Sequence, residues 1–94
     1  MIIISYDISN DKKRTKFSKY LERYGNRIQY SVFTIENSEK ILSNIISDIN
    51  NHFMKLFDQE DSVYIFRLNP SCEIFRFGYA KNEESNLIIV PPKK

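Results

Sequence analysis

Residues 1–25, MIIISYDISNDKKRTKFSKYLERYG, pass from an apolar run through a polar turn into an amphipathic segment. The apolar run Ile2, Ile3, Ile4, ending in Tyr6 and Asp7, predicts a buried strand over 2–7. Ser9 and Asn10 are turn formers, and either can cap a following helix by accepting hydrogen bonds from its first free amides. That helix is expected over 11–24, because Phe17, Tyr20, Leu21 and Tyr24 follow the i, i+3, i+4, i+7 spacing of one face. The helix-start dipole favours Asp11, and Gly25 is expected to close the helix as its C-terminal cap. Asp7 ends the strand with a carboxylate. A carboxylate is costly to desolvate, so it belongs either at a wet edge or beside a cation. The Lys12-Lys13-Arg14 cluster nearby implies that phosphate also approaches. A divalent cation held by oxygen ligands against a polyphosphate backbone would use both signs of charge.

Residues 28–36 are rich in β-branched and aromatic types, with a bend or bulge near Tyr30-Ser31 splitting the run into two short strands. From Glu39, the apolar positions Ile41, Leu42, Ile45, Ile46, Ile49, Phe53 and Leu56 predict a second amphipathic helix of four to five turns. Asp58 to Asp61 forms an acidic connection. Val63–Leu68 and Ile74–Tyr79 are further strand candidates around an Asn69-Pro70-Ser71 turn, and Leu87–Val90 precedes a Pro-Pro-Lys-Lys tail. The order βαββαβ is that of an α+β ferredoxin-like sandwich, with two helices on one face of a sheet. Four strands and two helices already complete that unit. The additional C-terminal strands therefore need another surface, and a homodimer in which each chain completes the other's sheet supplies it.

A chain of 94 residues is expected to be a single domain, 1–94, burying only about 60–65% of its unfolded surface, with 80–94 as a C-terminal strand and tail at an interface. Lone Cys72 makes no internal disulfide and gives no zinc cluster, so a cytoplasmic setting is expected. With no basic leader and no apolar stretch near 18 residues, neither a signal peptide nor a membrane span is expected. The net charge of +2 conceals a split. Residues 1–30 carry seven Lys/Arg against three acids, a local +4, and the other 64 sum to −2. Such a concentrated basic segment points to nucleic acid, although a solvated helix face would look the same.

The run Tyr6-Asp7-Ile8-Ser9-Asn10-Asp11-Lys12-Lys13-Arg14, followed by Tyr24-Gly25 and Arg27-Ile28-Gln29-Tyr30-Ser31-Val32-Phe33, resembles the CRISPR-associated protein 2 family, the small partner of the CRISPR integrase. Asp61-Ser62-Val63 and Ile88-Ile89-Val90 extend the resemblance over essentially the whole chain. It implies a ferredoxin-like homodimer in which Asp7 of each subunit faces its mate and binds Mg²⁺. It further implies a metal-dependent endonuclease on RNA or DNA, and a bridge between integrase dimers, in a heterohexamer, that holds double-stranded DNA during spacer acquisition. Single-stranded RNA is the other nucleic acid partner in view. Tyr6, Arg14, Ser31 and Phe33 join Asp7 as site residues by the same resemblance. Lys12, Lys13, Arg14, Lys16, Lys19, Arg23 and Arg27 make the nucleic-acid-binding set. Lys16 stands where some relatives carry an arginine, keeping the charge but losing the bidentate fork.

Two-metal hydrolysis usually needs several carboxylates converging on ions about 4 Å apart, and this chain offers one per subunit. Two other readings therefore stand beside the endonuclease: a scaffold with no catalytic role, and a stand-alone toxin-like endoribonuclease of the same fold. His52 has no second His or Cys at metal spacing, and Cys72 has no basic partner, so both are read as structural. Tyr30 and Phe33 can stack on bases, but strand aromatics in a small sheet are expected in the core or at a dimer contact.

Overall fold

The computed structural model describes residues 1–77 and 88–90. In chain order the elements are β1 (Ile2–Asp7), α1 (Asp11–Glu22), β2 (Gly25–Gln29), β3 (Val32–Ile35), α2 (Glu39–Asp48) with a π-helical turn over Ile49–Phe53, β4 (Ser62–Arg67), β5 (Phe75–Phe77) and β6 (Ile88–Val90). The first four strands form one antiparallel sheet in the order β2-β3-β1-β4. This is the ferredoxin-like arrangement: β1 pairs Ile4 with Phe33 on one side and with Ile65 on the other. β5 and β6 pair in parallel as a separate two-stranded sheet. The tail and the parts of the last two predicted strands that fall in 78–87 and 91–94 lie outside the described residues.

Alternation along β1 sets up the layers. Ile2, Ile4 and Tyr6 are buried beneath the helices, whereas Ile3, Ser5 and Asp7 lie on the opposite face. Phe17 from α1 is the centre of the core. Its ring meets Phe53 at 4.9 Å and Tyr6 at 5.2 Å, both edge-on, with Phe57 at 6.0 Å. Such aromatic pairs add about 0.5–1.5 kcal/mol beyond the area they bury.

Both helices start on side-chain caps. Lys13 N–H donates to Asn10 Oδ1 at 3.0 Å, and Ile41 N–H to Ser38 Oγ at 3.3 Å. Two local expectations are corrected and a third is narrowed. Gly25 does not cap α1: the helix ends at Glu22 with Arg23 as its cap, and Gly25 is the first residue of β2. The reason is contact, since a Cβ on Gly25 would stand 1.9 Å from the Thr34 carbonyl oxygen. The second helix is not one regular helix of four to five turns, because after Asp48 it widens, with Met54 N–H donating to the Ile49 carbonyl at 2.8 Å. Of the two places expected for Tyr30, core or dimer contact, the core is excluded. It sits in the two-residue turn between β2 and β3 and is 67% exposed, whereas Phe33, inside β3, is fully buried as expected. The Asn69–Cys72 turn forms, closed by Cys72 N–H to the Asn69 carbonyl at 2.8 Å. Among the described residues, no helix is long and apolar enough to cross a membrane.

Candidate functional site

The alternation of β1 sends its two terminal site residues to opposite faces of the sheet. Tyr6 turns inward under α1, and Asp7 turns outward, exposed, paired in register with Ser62 of β4. Tyr6 packs on Phe17 and Phe33, and its hydroxyl points to the Tyr30 carbonyl at 3.4 Å, a long contact. Burial pushes its phenol pKa upward, against the pull of Arg27. It is therefore a neutral phenol at ordinary pH. Ser31 is half-buried and acts through its backbone, its carbonyl accepting the Tyr6 N–H at 3.0 Å. Tyr6, Ser31 and Phe33 thus hold the β2–β3 turn against β1. The structure brings Tyr6, Arg14, Arg27 and Phe33 together and leaves Asp7 on the other face.

The two arginines are fixed around that turn. Arg14 donates to the Ile8 carbonyl at 3.0 Å, pairs with Asp11, and places its guanidinium 5.6 Å from the centre of the Tyr30 ring. The hydrogen bond from Arg14 to Asp11 chiefly strengthens the guanidinium's hold on its proton. Arg27 donates to the Tyr30 carbonyl at 3.0 Å, stands 5.2 Å over the Phe33 ring and lies 4.0 Å from Glu22. Around them is a cleft of about 280 Å³, lined by Tyr6, Arg14, Thr15, Ser18, Lys19, Glu22, Arg27 and Tyr30. Ser18 and Glu22 are site residues that the motif reading misses. They follow Arg14 at four-residue steps, which is the signal that could have found them.

The remaining cations are sorted by helix geometry. Lys12, Lys16, Lys19 and Arg23 are all exposed and recur at i, i+4, i+7 and i+11, one stripe along α1 opposite buried Phe17 and Leu21. Eleven residues of helix make this stripe roughly 16 Å long. Lys13 leaves it to meet Asp58 at 3.7 Å.

Asp61 ties the β1–α1 connection to the start of β4. It accepts from Ser9 N–H at 3.0 Å, Ser9 Oγ at 3.2 Å and Asp58 N–H at 2.8 Å, and the backbone bond from Ser9 is the main cause holding its carboxyl below its usual range. Sequence reading places Asp61 in an acidic connection and in the Asp61-Ser62-Val63 run, not against Ser9. A fold-back across 52 residues leaves no local trace.

The outward sheet face carries more than Asp7. Tyr64 (62% exposed) and Phe66 (48%) stack there at 6.1 Å, beside Ser5 and Ile3 in register. Among the described residues, no group of three His, Cys, Asp or Glu comes together to hold a metal. Among the described residues a single chain offers Asp7 alone at this face, and that donor set does not fit Mg²⁺, which takes six oxygen ligands in near-octahedral geometry. His52 and Cys72 are exposed.

Residues 1–73 match the family model described as CRISPR associated protein Cas2. A protein of Chloroflexus aurantiacus named CRISPR-associated endoribonuclease Cas2 3 is 42% identical over 69 residues, covering 71% of this chain and 69% of that protein. One of Methanospirillum hungatei, named CRISPR-associated endoribonuclease Cas2 2, is 32% identical over 90 residues, covering 94% and 97%. Among solved structures, that of a hypothetical protein from Thermus thermophilus superposes with a TM-score of 0.69 at 27% identity, covering 88% of this chain and 95% of the other. With a family match across both helices and the whole four-stranded sheet, the chain belongs to the CRISPR-associated protein Cas2 family.

Proposed function

We propose that two copies of this chain form a nuclease of the CRISPR adaptation machinery, acting in the cytoplasm on RNA or DNA and holding double-stranded DNA beside an integrase during spacer acquisition. Relatives named as endoribonucleases support the chemistry. The observation that carries the reading is the sheet face opposite the helices, where exposed Asp7 shares a surface with the exposed Tyr64 and Phe66 rings. A second copy on that face would cover the rings and bring two Asp7 carboxylates near each other. Like charges so placed need a proton or a cation between them, and a Mg²⁺ ion with several waters would suit two carboxylates better than one. The ion would supply charge neutralisation at the phosphate. The chain's own residues supply the grip.

The α1 stripe supports that grip. At about 3.4 Å of helix axis per phosphate, a stripe of roughly 16 Å faces four to five phosphates of one strand. Four contacts predict that log K for duplex DNA falls against log salt with a slope of about −3.6 per copy. The scaffold reading rests on a specific observation too: among the described residues no group of three metal-binding side chains forms around Asp7. It needs only the stripe.

The experiment compares wild type with Asp7→Asn, both sized by sedimentation, incubated with single-stranded RNA and duplex DNA with and without Mg²⁺. Mg²⁺-dependent cleavage lost in a variant that still dimerises is the expected result. Absence of cleavage by wild type, with DNA still gained by a repeat array in cells carrying Asp7→Ala, would overturn the catalytic part and leave the scaffold.

A further inference from the structure

The cleft between α1 and the β2–β3 turn meets the basic stripe of α1 at Lys19 and extends beyond it to Arg14 and Arg27. Three cations, Arg14, Lys19 and Arg27, line it against one acid, Glu22. Tyr30 stands at its rim, 67% exposed, in a turn where an aromatic ring gains little from burial. The ring is held in place. Arg14 lies over it at 5.6 Å, and the backbone of the turn is pinned by Arg27 to the Tyr30 carbonyl at 3.0 Å and by Tyr6 N–H to the Ser31 carbonyl at 3.0 Å. A pinned, exposed aromatic ring flanked by guanidinium groups is what a stacked base requires, because every base has a π-face and a positive charge beside it attracts the phosphate of the same nucleotide.

Size narrows the ligand. A volume of about 280 Å³ sits at the small end of the roughly 300–1,000 Å³ typical of ligand clefts, room for a single nucleotide unit and not for a base pair. Continuity narrows it again, since Lys19 belongs both to the cleft wall and to the basic stripe of α1. A strand tracked along the stripe passes the mouth of the cleft. Thr15, Ser18 and Glu22 complete the lining, and a carboxylate there can accept from an exocyclic amine.

We propose that this cleft is a subsite for one unpaired nucleotide of a strand held on α1, with Tyr30 as the stacking platform and Arg14 and Arg27 at the flanking phosphate. The inference rests on the reading of the protein as a nucleic-acid binder. It adds that the protein distinguishes unpaired from paired strand, at a site separate from Asp7.

The chain contains no tryptophan, so Tyr30→Trp creates a unique fluorophore at the site. The probes are a mixed-sequence single-stranded DNA 12-mer, the same 12-mer with one abasic position at each place in turn, and the corresponding duplex, with binding read by anisotropy at fixed salt. Quenching of the introduced indole's fluorescence by the single strand but not by the duplex is expected. Tyr30→Ala should weaken the single strand about 5- to 150-fold, the worth of one base stack, and leave the duplex within twofold, whereas Tyr30→Phe should bind as wild type. Equal loss on both probes, no quenching while wild type binds both, or a change in sedimentation without a change in single-strand affinity would each overturn the subsite and leave the backbone-binding reading standing. Failure of wild type to bind either probe would overturn that reading and the subsite with it.

Discussion

Replacing Gly25 with alanine asks what keeps β2 against β3. The backbone there is not left-handed, so conformational strain plays no part, and the effect comes from the added methyl, 1.9 Å from the Thr34 carbonyl oxygen and 2.8 Å from Ile35 Cδ1. Carbon and oxygen do not ordinarily approach closer than about 3.3 Å, so the two strands would have to part by roughly 1.4 Å. Inter-strand N–H···O bonds fade beyond about 3.2 Å, so one or two ladder bonds break at about 1 kcal/mol each, on top of a typical 1–3 kcal/mol for overpacking. The expected loss is about 2–5 kcal/mol, from the roughly 5–14 kcal/mol available to a domain of this length. With a urea m-value of about 1 kcal/mol/M, the midpoint falls by about 2 M or more. A double variant sharpens the test. Ile35→Val removes the 2.8 Å neighbour but leaves the carbonyl, so it should not rescue Gly25→Ala. A midpoint unchanged within about 0.5 M, or rescue by Ile35→Val, would refute the assignment of the clash to the Thr34 backbone.

Three further substitutions address the core and its titrating groups. Phe17→Ala should cost about 3–5 kcal/mol, since it removes the ring that Phe53, Tyr6 and Phe57 all pack on, and a loss below about 1.5 kcal/mol in chemical denaturation would contradict its central place. Tyr20 donates to Asp48 at 2.5 Å, and burial, then this carboxylate, raises its pKa well above the ordinary 10.0. The folded state therefore keeps a proton that the unfolded chain releases above about pH 10, so stability falls as pH rises past that value. Tyr20→Phe should flatten that alkaline decline, and an unaltered slope counts against it. Asp61 has the opposite sign: its lowered pKa gives a contribution present above 3.8 and lost as pH falls through the folded value. An acid-unfolding curve measured for Asp61→Asn should be shallower below pH 3.8 than that of wild type.

Periodicity made much of the architecture legible. The 2–7 strand and both helix starts follow from spacing and from Asn10 and Ser38, residues whose capping chemistry is local. The same alternation shows that consecutive residues Tyr6 and Asp7 point to opposite sides, so a site drawn from motif proximity alone merges two surfaces that the sheet separates. Contacts between distant segments left no such trace. Gly25 reads as a cap until Thr34 is beside it, whereas the bend expected near Tyr30-Ser31 does form, where a register shift between Arg27 and Gln29 precedes the turn between β2 and β3. Helix spacing alone also aligned Lys12, Lys16, Lys19 and Arg23, whereas the departure of Lys13 depended on where Asp58 came to rest.

The widened turn over Ile49–Phe53 bears on how this helix can change length. The core positions Ile41, Ile45, Ile49 and Phe53 recur every four residues, and on a regular helix each such step drifts about 40° from the last, carrying Phe53 some 120° off the core face. The extra residue of the π-turn absorbs that drift. Exposed Asn50 and Asn51 lie within it. Excision of one of them would let the segment relax to an ordinary α-helix, with the phenylalanine only about 20° from the Ile41 direction. This turn is therefore a place where insertions and deletions of a single codon can accumulate during descent without the aromatic core having to be rebuilt.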